Sequence, residues 1–271
     1  MGKKIAISVP KGGVGKTTTA VNLAAAFAIA EKKTLLIDFD PSGACSVSLG
    51  FENEVLRGDI FQVISFIKHI DSVIHTTELP TLDFIPCSIN SGEIEERINR
   101  LTRNIYLFEN ILNQYALAQY DYIIIDCPPY LKGLTTVALT AADSVLIPIR
   151  AGQFSISALK KMYNHIVWVK ENLNKRLTVD GILLTMFEPN TKAWGLTKRA
   201  LFQNFGNDIL KTVIPKSITI TEAEFYGKPT MLFDVKSSGS VAYLNLANEL
   251  MNKDLNAGDG FLENLIQKSP E

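Results

Sequence analysis

The chain has 271 residues, 46% of them hydrophobic, and its 27 Lys+Arg against 28 Asp+Glu leave a formal net charge of −1. That is enough chain and apolar side chain for one α/β domain. No overall basic excess draws the molecule to nucleic acid, and no apolar run approaches a membrane span.

The first predicted strand, near residues 4–9, is the apolar run Ile5-Ala6-Ile7-Ser8-Val9. It leads straight into Lys11-Gly12-Gly13-Val14-Gly15-Lys16-Thr17-Thr18. A glycine-rich turn between strand and helix wraps phosphates, because its backbone N–H groups point inward and glycine permits close approach. In this loop Lys16 is placed for the β- and γ-phosphates, Thr17 for Mg2+ and Thr18 for the α-phosphate. The helix that follows, roughly Lys16 to Ala30, aims its positive dipole end at the anion. Pro10 stands where the ordinary P-loop has its first glycine, whereas the variant Lys-Gly-Gly-x-Gly-Lys-Thr matches in full. Lys11 is therefore a second cation, on the far side of the phosphates from Lys16. It is expected to serve extra negative charge, such as a nucleotide held by a second subunit.

Thr34-Leu35-Leu36-Ile37-Asp38-Phe39-Asp40 reads as a buried parallel strand over 34–39 that ends in two carboxylates. Their i, i+2 spacing puts both on one face if the strand persists, one to order the metal through water and one to position the attacking water. A strand over 121–126 likewise ends at Asp126, ahead of Cys127-Pro128-Pro129. That is the placement of a carboxylate that holds the metal ion. Further strands are read near 82–86, 144–149, 178–185 and 211–214, with long helices near 91–118 and 154–173. The second helix carries Ile156, Leu159, Met162, Tyr163, Ile166 and Val167, a stripe expected to face the core. Strands alternating with helices imply a single-domain, doubly wound, mostly parallel sheet flanked by helices. Cys45, Cys87 and Cys127 share no Cys-x-x-Cys spacing. This argues against a zinc site or redox motif and fits a reducing cytoplasm, as does the lack of a signal-peptide pattern before the loop.

These motifs, in this order, resemble the ParA/MinD family of deviant Walker ATPases, and within it the ParA/Soj partitioning branch. Asp38-Phe39-Asp40-Pro41-Ser42-Gly43 is similar to that branch's Asp-x-Asp-Pro-Gln-Gly, and Asp121 to Pro129, Leu139 to Pro148, Gly181 to Phe187 and Gly227-Lys228-Pro229 also look like it. The resemblance covers about Lys3 to Asn252 and implies an ATPase domain over 1–252, with a tail over 253–271. It implies a sandwich dimer closed by ATP, with ADP and phosphate as products and a ParB-like partner protein that stimulates slow hydrolysis. In that picture Lys11 reaches the partner's nucleotide, Asp40 positions the hydrolytic water, Thr17, Asp38 and Asp126 serve the metal, and Met186, Phe187 and Pro215 lie at the adenine.

The same resemblance implies non-specific DNA binding by the dimer, in chromosome or plasmid partitioning. Here the chain departs from its relatives. Ile214-Pro215-Lys216-Ser217-Ile218-Thr219 and Lys236-Ser237-Ser238-Gly239 lack arginines usual in the branch. Lys192, Lys198, Arg199, Lys211, Lys216 and Lys236 remain as a candidate basic face for phosphate neutralisation. Counted from the sequence, Ala151 to Met251 hold 12 Lys+Arg against 8 Asp+Glu, and residues 1–150 hold 13 against 16. The tail carries Phe261, Leu262, Leu265 and Ile266 on one helical face. It lacks the basic polar face of a membrane-binding helix, so a membrane role is not expected. The alternative keeps the ATPase and changes its load, to a non-DNA cargo or a membrane.

Overall fold

The apolar runs become the strands of one sheet, and their lengths and ends decide where the polar groups emerge. The computed structural model describes residues 2–51, 56–87, 103–114 and 117–266, with side chains through Leu255. The strands are β1 (Lys3–Ile7), β2 (Thr34–Asp38), β3 (His75–Thr76), β4 (Leu82–Ile85), β5 (Tyr122–Asp126), β6 (Ser144–Ile149), β7 (Thr178–Phe187) and β8 (Ile209–Pro215). The helices are α1 (Lys16–Ile29), α2 (Ala44–Ser48), α3 (Ile60–Ile64), α4 (Leu107–Leu112), α5 (Leu134–Ala141), α6 (Gln153–Asn172), α7 (Lys192–Phe205), α8 (Ile218–Phe225), α9 (Thr230–Phe233) and α10 (Ser238–Ile266). Much of the helix expected near 91–118 lies outside the described residues; α4 falls within its range.

The sheet runs β3-β4-β2-β5-β1-β6-β7-β8. Every described pairing is parallel except β3 with β4. This is the doubly wound, mostly parallel architecture expected from the sequence, with a short antiparallel edge added. Alternate residues of β1 feed two cores, as a strand covered on both faces must. Ala6 joins the layer under α5 and α6, and Ile5 and Ile7 join the layer under α1 and α10. The second layer is closed by Phe27 stacked on Tyr122 at 4.0 Å between ring centroids.

Two details depart from expectation. The buried line of α6 runs through Ser155, Ala158, Leu159, Met162, Ile166 and Val169. Val167 is 51% exposed, because at 100° per residue it lies one step beyond that line. The last helix runs without a break from the domain into the segment set apart as a tail over 253–271.

The order β2-β5-β1 matters most for function. The loop after β1 and the carboxyl ends of β2 and β5 lie side by side, where an open α/β sheet receives its ligands.

Candidate functional site

The loop after β1 owes its shape to two glycines. Gly13 has φ 64° and Gly15, the cap just before α1, has φ 81°, a left-handed conformation that side chains disfavour. Gly12 has neither a positive φ nor any atom within 4 Å of a would-be Cβ; its side is open space. Val14 is buried and pins the loop to the sheet, because Thr185 Oγ1 lies 2.9 Å from Val14 O and 3.0 Å from Ile149 O. Lys16 is buried and donates from Nζ to Lys11 O at 3.1 Å. Burial lowers its pKa, and the negative charges of Asp126 and Asp40 pull in the other direction.

Asp38 and Asp126 end adjacent strands in register and both are fully buried. The strand stops at Asp38, so Asp40 stands in the following turn and the expected shared strand face is not formed. Instead Asp38 Oδ1 accepts from Asp40 N at 3.0 Å, Asp38 Oδ2 accepts from Cys45 N at 3.1 Å, and Asp40 Oδ1 accepts from Ser42 N at 3.0 Å. Asp38 thus folds the turn that carries Asp40. Phe39 between them is buried and stacks on Phe108 at 4.4 Å, which fixes the turn from below.

Asp126 Oδ2 accepts from Thr17 Oγ1 at 2.6 Å. Its other oxygen, Oδ1, is buried with no hydrogen-bond partner. Burial, then the neighbouring Asp126 charge, pushes the Asp38 carboxyl well above its ordinary range. Burial likewise raises Asp126 to about 7, against the Thr17 hydrogen bond that favours its ionised form. Two buried carboxylates held back from ionising, one with an orphaned oxygen beside a threonine hydroxyl, fit a divalent cation. The oxygen donors suit magnesium.

Beside the loop lies a cavity of about 240 Å3, lined by Gly15, Thr18, Met186, Pro215, Glu224 and Tyr243 among others. Met186 has φ 51°, a rare conformation for a residue with a side chain, and it sits at the end of β7 against this space. Phe187, expected beside it, does not line the cavity; its ring packs edge-on against Trp194 at 4.9 Å. Glu224 and Tyr243 were not anticipated from sequence. Thr18 Oγ1 donates to Glu224 Oε1 at 2.7 Å, and Tyr243 OH lies 3.5 Å from Thr19 Oγ1.

Lys11 does not join Lys16 within the chain. Its Nζ donates to Ser155 Oγ at 2.9 Å, near the start of α6. Partial burial and the nearby Arg150 charge lower its pKa.

The AAA-domain family model matches residues 2–179. The chromosome partitioning protein ParA of Myxococcus xanthus is 40% identical over 94% of this chain and 89% of its own length. The chain belongs to the ParA/Soj branch of the ParA/MinD ATPase family. The sporulation initiation inhibitor protein Soj of Bacillus subtilis is 38% identical over 92% of this chain and 98% of its own length. Among solved structures, cobyrinic acid a,c-diamide synthase from Mycobacterium smegmatis, with bound ADP and magnesium, superimposes with a TM-score of 0.79. It is 25% identical and covers 93% of this chain and 94% of its own.

In this ParA-type chain the six basic candidates fall into separate groups. Lys192, Lys198 and Arg199 are exposed on α7, where Lys198 Nζ stands 5.7 Å from the Phe202 ring centre. Lys211 and Lys236 line a shallow groove between β8 and α10. Lys216 pairs with Glu188 at 3.1 Å. No described helix is long and apolar enough to cross a membrane.

Proposed function

We propose that this ParA-family chain is a dimeric switch that hydrolyses ATP to ADP and phosphate, with Mg2+, to drive DNA partitioning. One observation carries the reading. Lys16, Thr17, Asp38, Asp40 and Asp126 converge at the carboxyl ends of three neighbouring strands, in a chain with relatives named chromosome partitioning proteins. Thr17 and Asp126 would hold the metal, with Asp38 behind a bound water, and the metal would offset charge on the phosphates.

The protein's own groups do the rest. Gly12 to Gly15 turn their backbone N–H groups to the phosphates, and Lys16 neutralises the β- and γ-phosphates. Asp40, held in its turn by Asp38, positions the attacking water. Lys11 leaves Ser155 and reaches the nucleotide of a second copy, adding positive charge where it develops in transfer. The base occupies the cavity lined by Met186 and Pro215.

ATP thus favours the dimer, and a ParB-like partner accelerates the return to monomers. Lys192, Lys198, Arg199, Lys211 and Lys236 neutralise phosphates of non-specific duplex DNA, with Lys216 joining once released from Glu188. Two copies double that surface. The missing arginines favour a weak, salt-sensitive grip. They also support a second reading, in which the same switch positions a non-DNA load. Phosphate release assayed with Mg-ATP, with and without duplex DNA, tests the proposal. Turnover with ATP, together with an ATP-dependent gel shift that fades with salt, is expected. No turnover under any condition would overturn the ATPase, and turnover without any gel shift would move the load away from DNA.

A further inference from the structure

The reading above leaves one donor in the site unused. Cys45, in α2, is fully buried, and its Sγ lies 3.5 Å from Asp126 Oδ2. Its backbone N–H donates to Asp38 Oδ2. One ligand atom from each of Asp38, Cys45 and Asp126 lies within 4.8 Å of the others. Asp126 Oδ1, in the same carboxylate that faces the thiol, is buried without a partner. The spacing of cysteines along the chain argues against a zinc site built from cysteines alone. The fold instead brings one cysteine to two carboxylates that are 88 positions apart in the sequence.

Magnesium takes hard oxygen donors and keeps several waters, whereas zinc-class ions accept thiolate and carboxylate together in a tetrahedral shell. With metal–sulfur near 2.3 Å and metal–oxygen near 2.0–2.2 Å, bound sulfur and oxygen atoms stand roughly 3.5 Å apart. The Cys45 to Asp126 separation already matches that spacing. Asp38 needs a modest side-chain shift. Cys87 and Cys127 are buried too, yet neither joins such a donor group among the described residues.

The geometry points to a binding site for a thiophilic divalent cation of the zinc class, formed by Asp38, Cys45 and Asp126 in the nucleotide-free chain. Binding replaces the thiol S–H bond by a sulfur–metal bond and releases that proton to solvent, together with those that the Asp38 and Asp126 carboxyls hold. The thiolate and two carboxylates carry three negative charges against the ion's two positive ones, with a water or the Thr17 hydroxyl in the fourth position. The site overlaps the metal position of the proposed ATPase, and only that overlap rests on the ATPase reading. Where both hold, a zinc-class ion competes with Mg-ATP.

The test uses the full chain, stripped of metal and nucleotide and titrated with cadmium as the probe. Sulfur-to-cadmium charge-transfer absorbance should rise to saturation at one equivalent, disappear in Cys45→Ala and Cys45→Ser, and persist in Cys87→Ala. No absorbance in the parent chain, or full absorbance in Cys45→Ser, would overturn the site. Should the Cys45 variants fail to fold, X-ray absorption at the zinc edge of the parent chain decides. One sulfur neighbour among oxygens supports the site, and none, or more than one, overturns it. Mg-ATP binding is measured separately on the parent chain without cadmium. Its failure would strike the ATPase reading and leave the cadmium result standing.

Discussion

Thr18 Oγ1 and Glu224 Oε1 meet at 2.7 Å across 206 positions of sequence. The carboxylate therefore holds the hydroxyl expected to serve the α-phosphate, at the wall of the cavity beside the P-loop. A nucleotide has to displace it, and α8 carries it.

Glu224→Gln should therefore tighten nucleotide binding. A hydrogen bond to a charged group contributes about 1.5–3 kcal/mol when well shielded. Glu224 is only half-buried, so screening reduces the figure to about 1 kcal/mol. A several-fold gain in affinity for a fluorescent ATP analogue is expected. Unchanged or weaker affinity would mean that Glu224 aids the nucleotide.

Asp40→Ala should leave nucleotide binding near the parent value and lower turnover by at least about 100-fold, because a positioned base or water contributes about 10²–10⁴-fold. Single-turnover phosphate release, set against equilibrium binding, separates the two. Parent-like turnover would remove Asp40 from the chemistry.

The stability of the nucleotide-free chain should fall as pH rises from about 4 to 7. The folded Asp126 carboxyl keeps its proton up to about 7, whereas an unfolded aspartate releases it near 4. Between these values the folded state holds more protons, so raising pH favours unfolding. Above the window the loss is complete. Asp126→Asn should flatten the slope, with Asp38 supplying what remains. Urea midpoints across the window check this, and an identical slope in the variant would contradict it.

Phe39→Ala should destabilise the chain by about 3–5 kcal/mol, the usual cost of deleting a buried aromatic ring. Phe39 is fully buried against Phe108 and Phe61, so the cavity cannot drain to solvent. It also sits between Asp38 and Asp40, and turnover should fall in the variant well below its melting range. Denaturant unfolding and an assay at low temperature read the two effects. A loss under about 1 kcal/mol would show that the turn does not depend on this packing.

What was legible in the sequence was what is local. The P-loop, the parallel strands and the strand-end positions of Asp38 and Asp126 each rest on a short run of residues, and the sheet order then brings them together. The relation of Asp38 to Asp40 was not legible, because it depends on the strand ending one residue earlier, when the Asp38 carboxylate captures Asp40 N and Cys45 N. The Glu224 contact and the seat of Cys45 were hidden for a different reason. Each depends on residues far apart in sequence, and no local period marks such pairs. Val167 was misplaced because a helical stripe read from sequence has no fixed edge until its neighbours pack.

The account turns on Lys11, which lies on Ser155 of its own chain and is proposed to reach a second copy once ATP binds. Light scattering on Asp40→Ala with Mg-ATP, and on the same protein carrying Lys11→Ala as well, tests this most directly. Twice the monomer mass for Asp40→Ala, and a monomer for the double variant that still binds ATP, is the predicted result. A dimer of equal stability without Lys11, or no dimer with it, would contradict the account.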